Sequence, residues 1–307
     1  MSSDGPIYVF NGTVYVGGGS DSNCTISVCP VEMSIYGYRA SLPLSITLIT
    51  LYGICGIVQI GLGWRYKTWG YMSAMLLGCI DEILGYVGRI LMYQNPWNYS
   101  GFIMQIVLIT IGPVFFSAAI YVILYQIINY ISLAHSRFNP RLFYYIFIPC
   151  DIVSLILQAI GGAMSSTSDG SSNVGVNIAL AGLGFQVATL VVFIALTVDY
   201  FVRSRKVWMA TRLPLKFKVF VSFLTLATVL ILIRCCYRVY ELNGGYSSDS
   251  EALRDQALFI GLEAVMVVGA AYALVIGHPG PVFYTGTRHL VGGDKATEEG
   301  KQVGPGV

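Results

Sequence analysis

Residues 219–241 read VFVSFLTLATVLILIRCCYRVYE. The first fifteen carry no charge, and at about 1.5 Å per residue the stretch is long enough, as a helix, to cross a hydrocarbon core of about 30 Å. Its last eight residues bring Arg234, Arg238 and Glu241 at i, i+4, i+7, which places all three on one helical face. A charge at bilayer depth is expensive, so a span that keeps three of them points to something polar inside a bundle.

Six further runs of the same kind flank it: Leu42–Gly63, Trp69–Tyr93, Gly101–Tyr130, Leu142–Met164, Val174–Val202 and, after it, Gln256–Gly277. Each predicts a helix, because a lone strand in lipid leaves its backbone polar groups unsatisfied. The expected fold class is all-α: a polytopic membrane protein built as a seven-transmembrane-helix bundle. The expected organisation is an extracellular N-terminal segment (1–40), the membrane domain (41–277) and a cytosolic tail (278–307).

Composition agrees. Of 307 residues, 55% are hydrophobic and 11% charged, against roughly 25% charged in an average soluble domain. That excludes a disordered chain, which needs low hydrophobicity and high charge. It excludes a nucleic-acid partner, for which no basic surface can be assembled. Long uncharged runs also argue against a soluble enzyme.

Orientation follows from the basic residues. The first, third and fifth loops and the tail hold thirteen Lys and Arg, among them Arg65, Lys67, Arg137, Arg203, Lys216 and Lys218; the opposite side holds Arg39 and Arg254. The N-terminus is therefore expected outside and the C-terminus in the cytosol. Acceptor triplets for N-glycosylation begin at Asn11, Asn23 and Asn98, all on the expected outer side. The first 40 residues, polar and rich in Gly and Ser, lack the basic start and apolar centre of a signal peptide. Cys24 and Cys29 lie in this outer segment, where an oxidising exterior favours a small disulfide loop over two free thiols. Cys55, Cys79, Cys150, Cys235 and Cys236 fall in spans and read as packing residues.

Inside the membrane the second span holds Asp81, Glu82 and Arg89; the fourth holds Asp151 and Gln158; the sixth holds Arg234, Arg238 and Glu241; the seventh holds Glu263. Asp199 sits at the inner end of the fifth span as a partner for Arg203. Helical rise puts Glu82, Arg234 and Glu263 near one level, so these groups are expected to line a polar substrate-binding cavity formed by Glu82, Arg89, Asp151, Gln158, Arg234, Arg238, Glu241 and Glu263. The expected pairs are Glu82 or Asp151 with Arg234, and Glu241 with Arg238. Buried ion pairs can also serve only to fix helix register, and Gly161-Gly162-Ala163 reads as a helix-packing surface. Gln59, Gln105, Gln126 and Gln186 read as interhelical hydrogen bonds, and Gly112-Pro113 as a kink in the third span.

Several chemistries are excluded by what is missing. All six lysines lie outside the spans, so no Schiff base to retinal can form. The three histidines, His135, His278 and His289, cannot build an intramembrane zinc site, and no metal or cofactor is expected. No Ser/His/Asp set shares a depth, and no phosphate-binding loop is present, so the chain has no ATP-binding site of its own. No catalytic residue is assigned, and the protein is not expected to be an enzyme.

Four motifs occur in order along residues 36–281: Glu82-x-x-Gly85-Tyr86-x-x-Arg89, Asp151-x-x-Ser154-x-x-x-Gln158-x-x-Gly161-Gly162, Arg234-x-x-Tyr237-Arg238-x-x-Glu241 and His278-Pro279-Gly280. Together they resemble the fungal lipid-translocating exporter family, the RTA-like proteins. The resemblance implies a seven-span protein, usually of the plasma membrane, linked to export or flipping of sphingoid long-chain bases and to resistance against toxic amphiphiles, with one branch associated with porphyrin uptake. This chain departs in carrying Ala163 where a third glycine is common, and Glu263 where an Asp is common. Membrane lipids or amphiphilic small molecules are the implied partners. A seven-helix receptor or stress sensor meeting a cytosolic partner, and a regulator of another lipid transporter, remain alternatives at this stage.

Overall fold

The computed structural model describes residues 7–10, 13–16, 23–34, 36–131, 139–167, 173–205, 215–243 and 256–283. Among these, seven long helices dominate: α1 (Leu42–Tyr66), α2 (Trp69–Gln94), α3 (Tyr99–Ile131), α4 (Arg141–Thr167), α5 (Asn173–Arg203), α6 (Leu215–Asn243) and α7, which covers residues 256–276. They coincide with the seven apolar runs, extended by a few residues because helices continue past the hydrocarbon. The extension matters at α6, where Lys216 and Lys218, expected in a loop, belong to the first helical turn. Six of the seven are long and apolar enough to cross a membrane; α2, with Asp81, Glu82 and Arg89, falls short of that apolarity. The chain is a helical, multi-pass membrane protein.

Each helix packs on its neighbours in sequence, and α7 returns to α1 and closes the ring. α3 also touches α6 and α7, and it is the most buried of the six apolar helices. Close packing comes from small residues, as expected where lipid removes any hydrophobic drive between helices. A Cβ on Gly88 would sit 2.9 Å from the Gly101 carbonyl oxygen, so α2 and α3 meet backbone to backbone. A Cβ on Gly161 would lie 2.6 Å from the Gly175 oxygen, and one on Gly182 would lie 2.8 Å from the Ser154 oxygen, which sets the same intimacy between α4 and α5. Gly162, its neighbour in the small-residue run, faces open space.

The N-terminal segment has more structure than its polar composition led us to expect. Strands β1 (Ile7–Phe10) and β2 (Thr13–Val16) pair antiparallel, Ile7 opposite Val16. Asn23 continues this module, its side-chain oxygen accepting the Val16 N–H at 2.7 Å. Cys24 and Cys29 are joined by a disulfide and pack, buried, against Trp97 in the α2–α3 connection. Asn11 lies outside the described residues. Asn98 is half-buried, and its side-chain oxygen accepts the Gly101 N–H at 3.0 Å, capping the start of α3.

Candidate functional site

The centre of the bundle, where α2, α3, α6 and α7 converge, holds a charged core. Arg234 of α6 is fully buried and donates to Glu263 of α7 through Nη2 at 2.7 Å and Nε at 3.2 Å. The same Nη2 donates to the Ile109 carbonyl of α3 at 2.8 Å. That carbonyl is free because its helical partner, four residues on, is Pro113, which has no N–H. The proline of the expected Gly112-Pro113 kink thus frees an acceptor for a buried guanidinium.

Gly112 serves the same centre. A Cβ there would meet a Glu82 carboxylate oxygen at 2.6 Å, so its absence lets Glu82 of α2 lie against α3. Glu82 is fully buried, and neither of its oxygens makes a close hydrogen bond among the described residues, the nearest hydroxyl being that of Tyr52. Tyr52 and Tyr86 stack beside it with centroids 6.2 Å apart, both hydroxyls also without a close hydrogen bond. Glu82 and Glu263 are within electrostatic reach of the single guanidinium of Arg234. Two acids face one cation, so with both ionised the group is one positive charge short.

Glu263 reaches this position from a π-helical turn, Phe259–Val265, a local widening common at functional sites. The same turn puts the Phe259 ring 4.0 Å from the Arg89 guanidinium. Arg89, buried in α2, donates to the Tyr38 hydroxyl at 2.9 Å, while its Nε and Nη1 have no partner. Tyr36 completes this corner; its hydroxyl accepts from Gln105 at 3.2 Å. The chain just before α1 therefore descends onto Arg89.

The remaining candidates are distributed rather than convergent. Arg238 pairs with Glu241 on its own helix, as expected, and also donates to Thr110 at 3.2 Å. Asp151 of α4 accepts from the Tyr121 hydroxyl at 2.9 Å instead of meeting Arg234. Gln158 donates to Gln186 at 3.0 Å and Ser154 at 3.2 Å, tying α4 to α5. By direct contact the eight fall into Arg234 with Glu263 and, beside them, Glu82; Arg89 with its aromatic neighbours; Arg238 with Glu241; Asp151 on Tyr121 of α3; and Gln158 on Gln186 of α5. Among the glutamines, Gln59 is buried on α1 beside Tyr71 of α2, with no close hydrogen bond among the described residues. Sequence reasoning passed over Tyr121, Tyr52 and the Ile109 carbonyl, of which only the last had a signal, a proline four residues downstream; Tyr86 stands in the first motif but without a role.

The profile of the RTA1 like protein family matches residues 75–286, a stretch that contains every charged residue of this core. The chain belongs to the RTA1-like family. It is 31% identical to the sphingoid long-chain base transporter RSB1 of Saccharomyces cerevisiae over 293 aligned positions, covering 81% of this chain and 75% of the yeast protein. It is 28% identical to protein RTM1 of the same yeast, covering 72% of this chain and 73% of that one. It is 31% identical to yeast protoporphyrin uptake protein 1 over 55% of this chain and 56% of that protein. No solved structure matches it.

The closing His278-Pro279-Gly280 of this RTA1-like chain has a structural use. The His278 ring packs on Tyr66 and Tyr71 at 5.8 and 5.2 Å between centroids, and its Nδ1 accepts the Gly280 N–H at 3.0 Å. Tyr71 donates to the Leu274 carbonyl at 2.7 Å. The end of α7 is clamped onto the turn between α1 and α2.

Proposed function

We propose that this protein moves single-chain amphiphiles, sphingoid long-chain bases foremost, across the plasma membrane. The observation that carries the reading is the excess acid of the core: Glu82 buried without a close hydrogen bond, beside an Arg234 already paired with Glu263. An ammonium head matches that vacancy in charge, and the apolar helix faces suit its tail. Kinship with a protein named as a sphingoid long-chain base transporter supports the same class of substrate. Because Glu82 is fully enclosed here, access requires neighbouring helices to part.

In this reading all seven helices cross the bilayer, α2 included, with residues 1–40 outside, 41–277 in the membrane and 278–307 in the cytosol. The thirteen-to-two distribution of basic residues supports that orientation, as does a disulfide in the N-terminal module. Sugar on Asn11, Asn23 or Asn98 is part of the same reading. A cysteine introduced in the tail is expected to resist an impermeant thiol reagent in intact cells; labelling there overturns the orientation.

Reconstitution tests the activity. Purified protein in liposomes is expected to move a labelled long-chain base faster than protein-free liposomes. Protoporphyrin forms the second arm, because of the partial likeness to an uptake protein for it. Movement of porphyrin alone transfers the reading to that substrate, and movement of neither contradicts it.

A further inference from the structure

Away from the charged core, an apolar groove of about 420 Å³ runs between α5 and α6, floored by Ile120 and Leu124 of α3. Along α6 it extends from Phe217 to Val229, about 18 Å at the helical rise, the reach of a long alkyl chain. Three threonines line it, Thr197, Thr225 and Thr228, yet none has a free hydroxyl proton. Each donates to the carbonyl four residues back, at 2.8, 2.9 and 2.8 Å. The wall is otherwise almost wholly apolar.

One lining residue is charged. Lys218 stands at one end of the groove, exposed, and no carboxylate pairs with it among the described residues. The nearest acid along α5, Asp199, is engaged by Arg203 at 3.0 Å. Lys218 also lies in the first turn of α6, a turn without an acidic residue, where the helix dipole adds to the positive potential.

We propose that this groove binds a single-chain amphiphile with an anionic head, carboxylate or phosphate, its chain along α5 and α6 and its head at Lys218. The charge preference is opposite to that of the central acid excess, so the groove is a second site and not an extension of the first. The inference requires only that α5 and α6 cross the bilayer, and it stands whether or not the chain transports anything.

The test uses the purified full chain in detergent with a diazirine-bearing hexadecanoate, followed by mapping of the labelled peptides. Saturable labelling is expected on α5 and α6. Unlabelled hexadecanoate or hexadecyl phosphate should displace it at concentrations about tenfold lower than hexadecylamine. The anion that competes better identifies the source, fatty acid or phosphorylated lipid. Val198→Trp, at an exposed groove position, should remove the labelling, and Lys218→Gln should keep chain binding while abolishing the preference for anions. Labelling spread without saturation over all lipid-facing helices would mean annular lipid only and overturns the site. Equal competition by the amine in the unsubstituted protein overturns the role of Lys218.

Discussion

The two sides of the bundle solve burial differently. Where α2, α3, α6 and α7 meet, one guanidinium holds Glu263 and the Ile109 carbonyl while Glu82 lies beside it without a close hydrogen bond. Between α4 and α5 the polar groups are neutral amides and hydroxyls, and the backbones touch through Gly161, Gly175 and Gly182. The first arrangement concentrates charge in few groups that depend on one another. The second spreads weak contacts over a long seam. Sensitivity to substitution should follow that division.

The largest effect is expected at Arg234. Arg234→Ala strands Glu263 in the interior, a loss of roughly 3–5 kcal/mol, read as collapse of the monodisperse peak in size-exclusion chromatography. Adding Glu263→Leu should recover much of that peak. A double variant no better than the single one would break the claim that the two form a unit.

Next comes Gly112→Ala. Its new methyl group must displace the Glu82 carboxylate from α3, an overpacking cost of about 1–3 kcal/mol, visible as a lower melting temperature in detergent. Gln158→Leu, on the neutral side, removes one interhelical amide contact and should cost only about 0.6 kcal/mol. If thermal scans rank Gln158→Leu above Gly112→Ala, the division between the two sides is wrong. Smallest of all is Arg203→Ala. Its partner Asp199 is an exposed neighbour on the same helix, and such pairs are worth about 0.3–0.5 kcal/mol, within the scatter of a melting curve.

Much of this was legible in the sequence, for identifiable reasons. Seven long apolar runs demand helices in lipid, and the helices formed where the runs lie. Arg238 with Glu241 and Arg203 with Asp199 were readable because both pairs sit on single helices, where spacing alone decides contact. The partner of Arg234 was not, since it depends on which helix packs where and on a π turn that gives no compositional sign. The N-terminal hairpin was a different kind of miss. Asn11-Gly12 between IYVF and TVYV is a strong hairpin signal, and it was read only as a glycosylation acceptor. Tyr121 and Tyr52 escaped, and Tyr86 entered only as a motif letter, because an aromatic residue in a span looks like packing until a carboxylate is found beside it.

If the excess acid at Glu82 receives a cationic head, Glu82→Gln should show it most directly. The substitution keeps the shape and removes the charge, so folding should persist, with elution and melting close to those of the unsubstituted protein. Movement of a labelled long-chain base in proteoliposomes should then fall toward the level of protein-free liposomes. A folded Glu82→Gln protein that moves the base at the full rate would contradict the account.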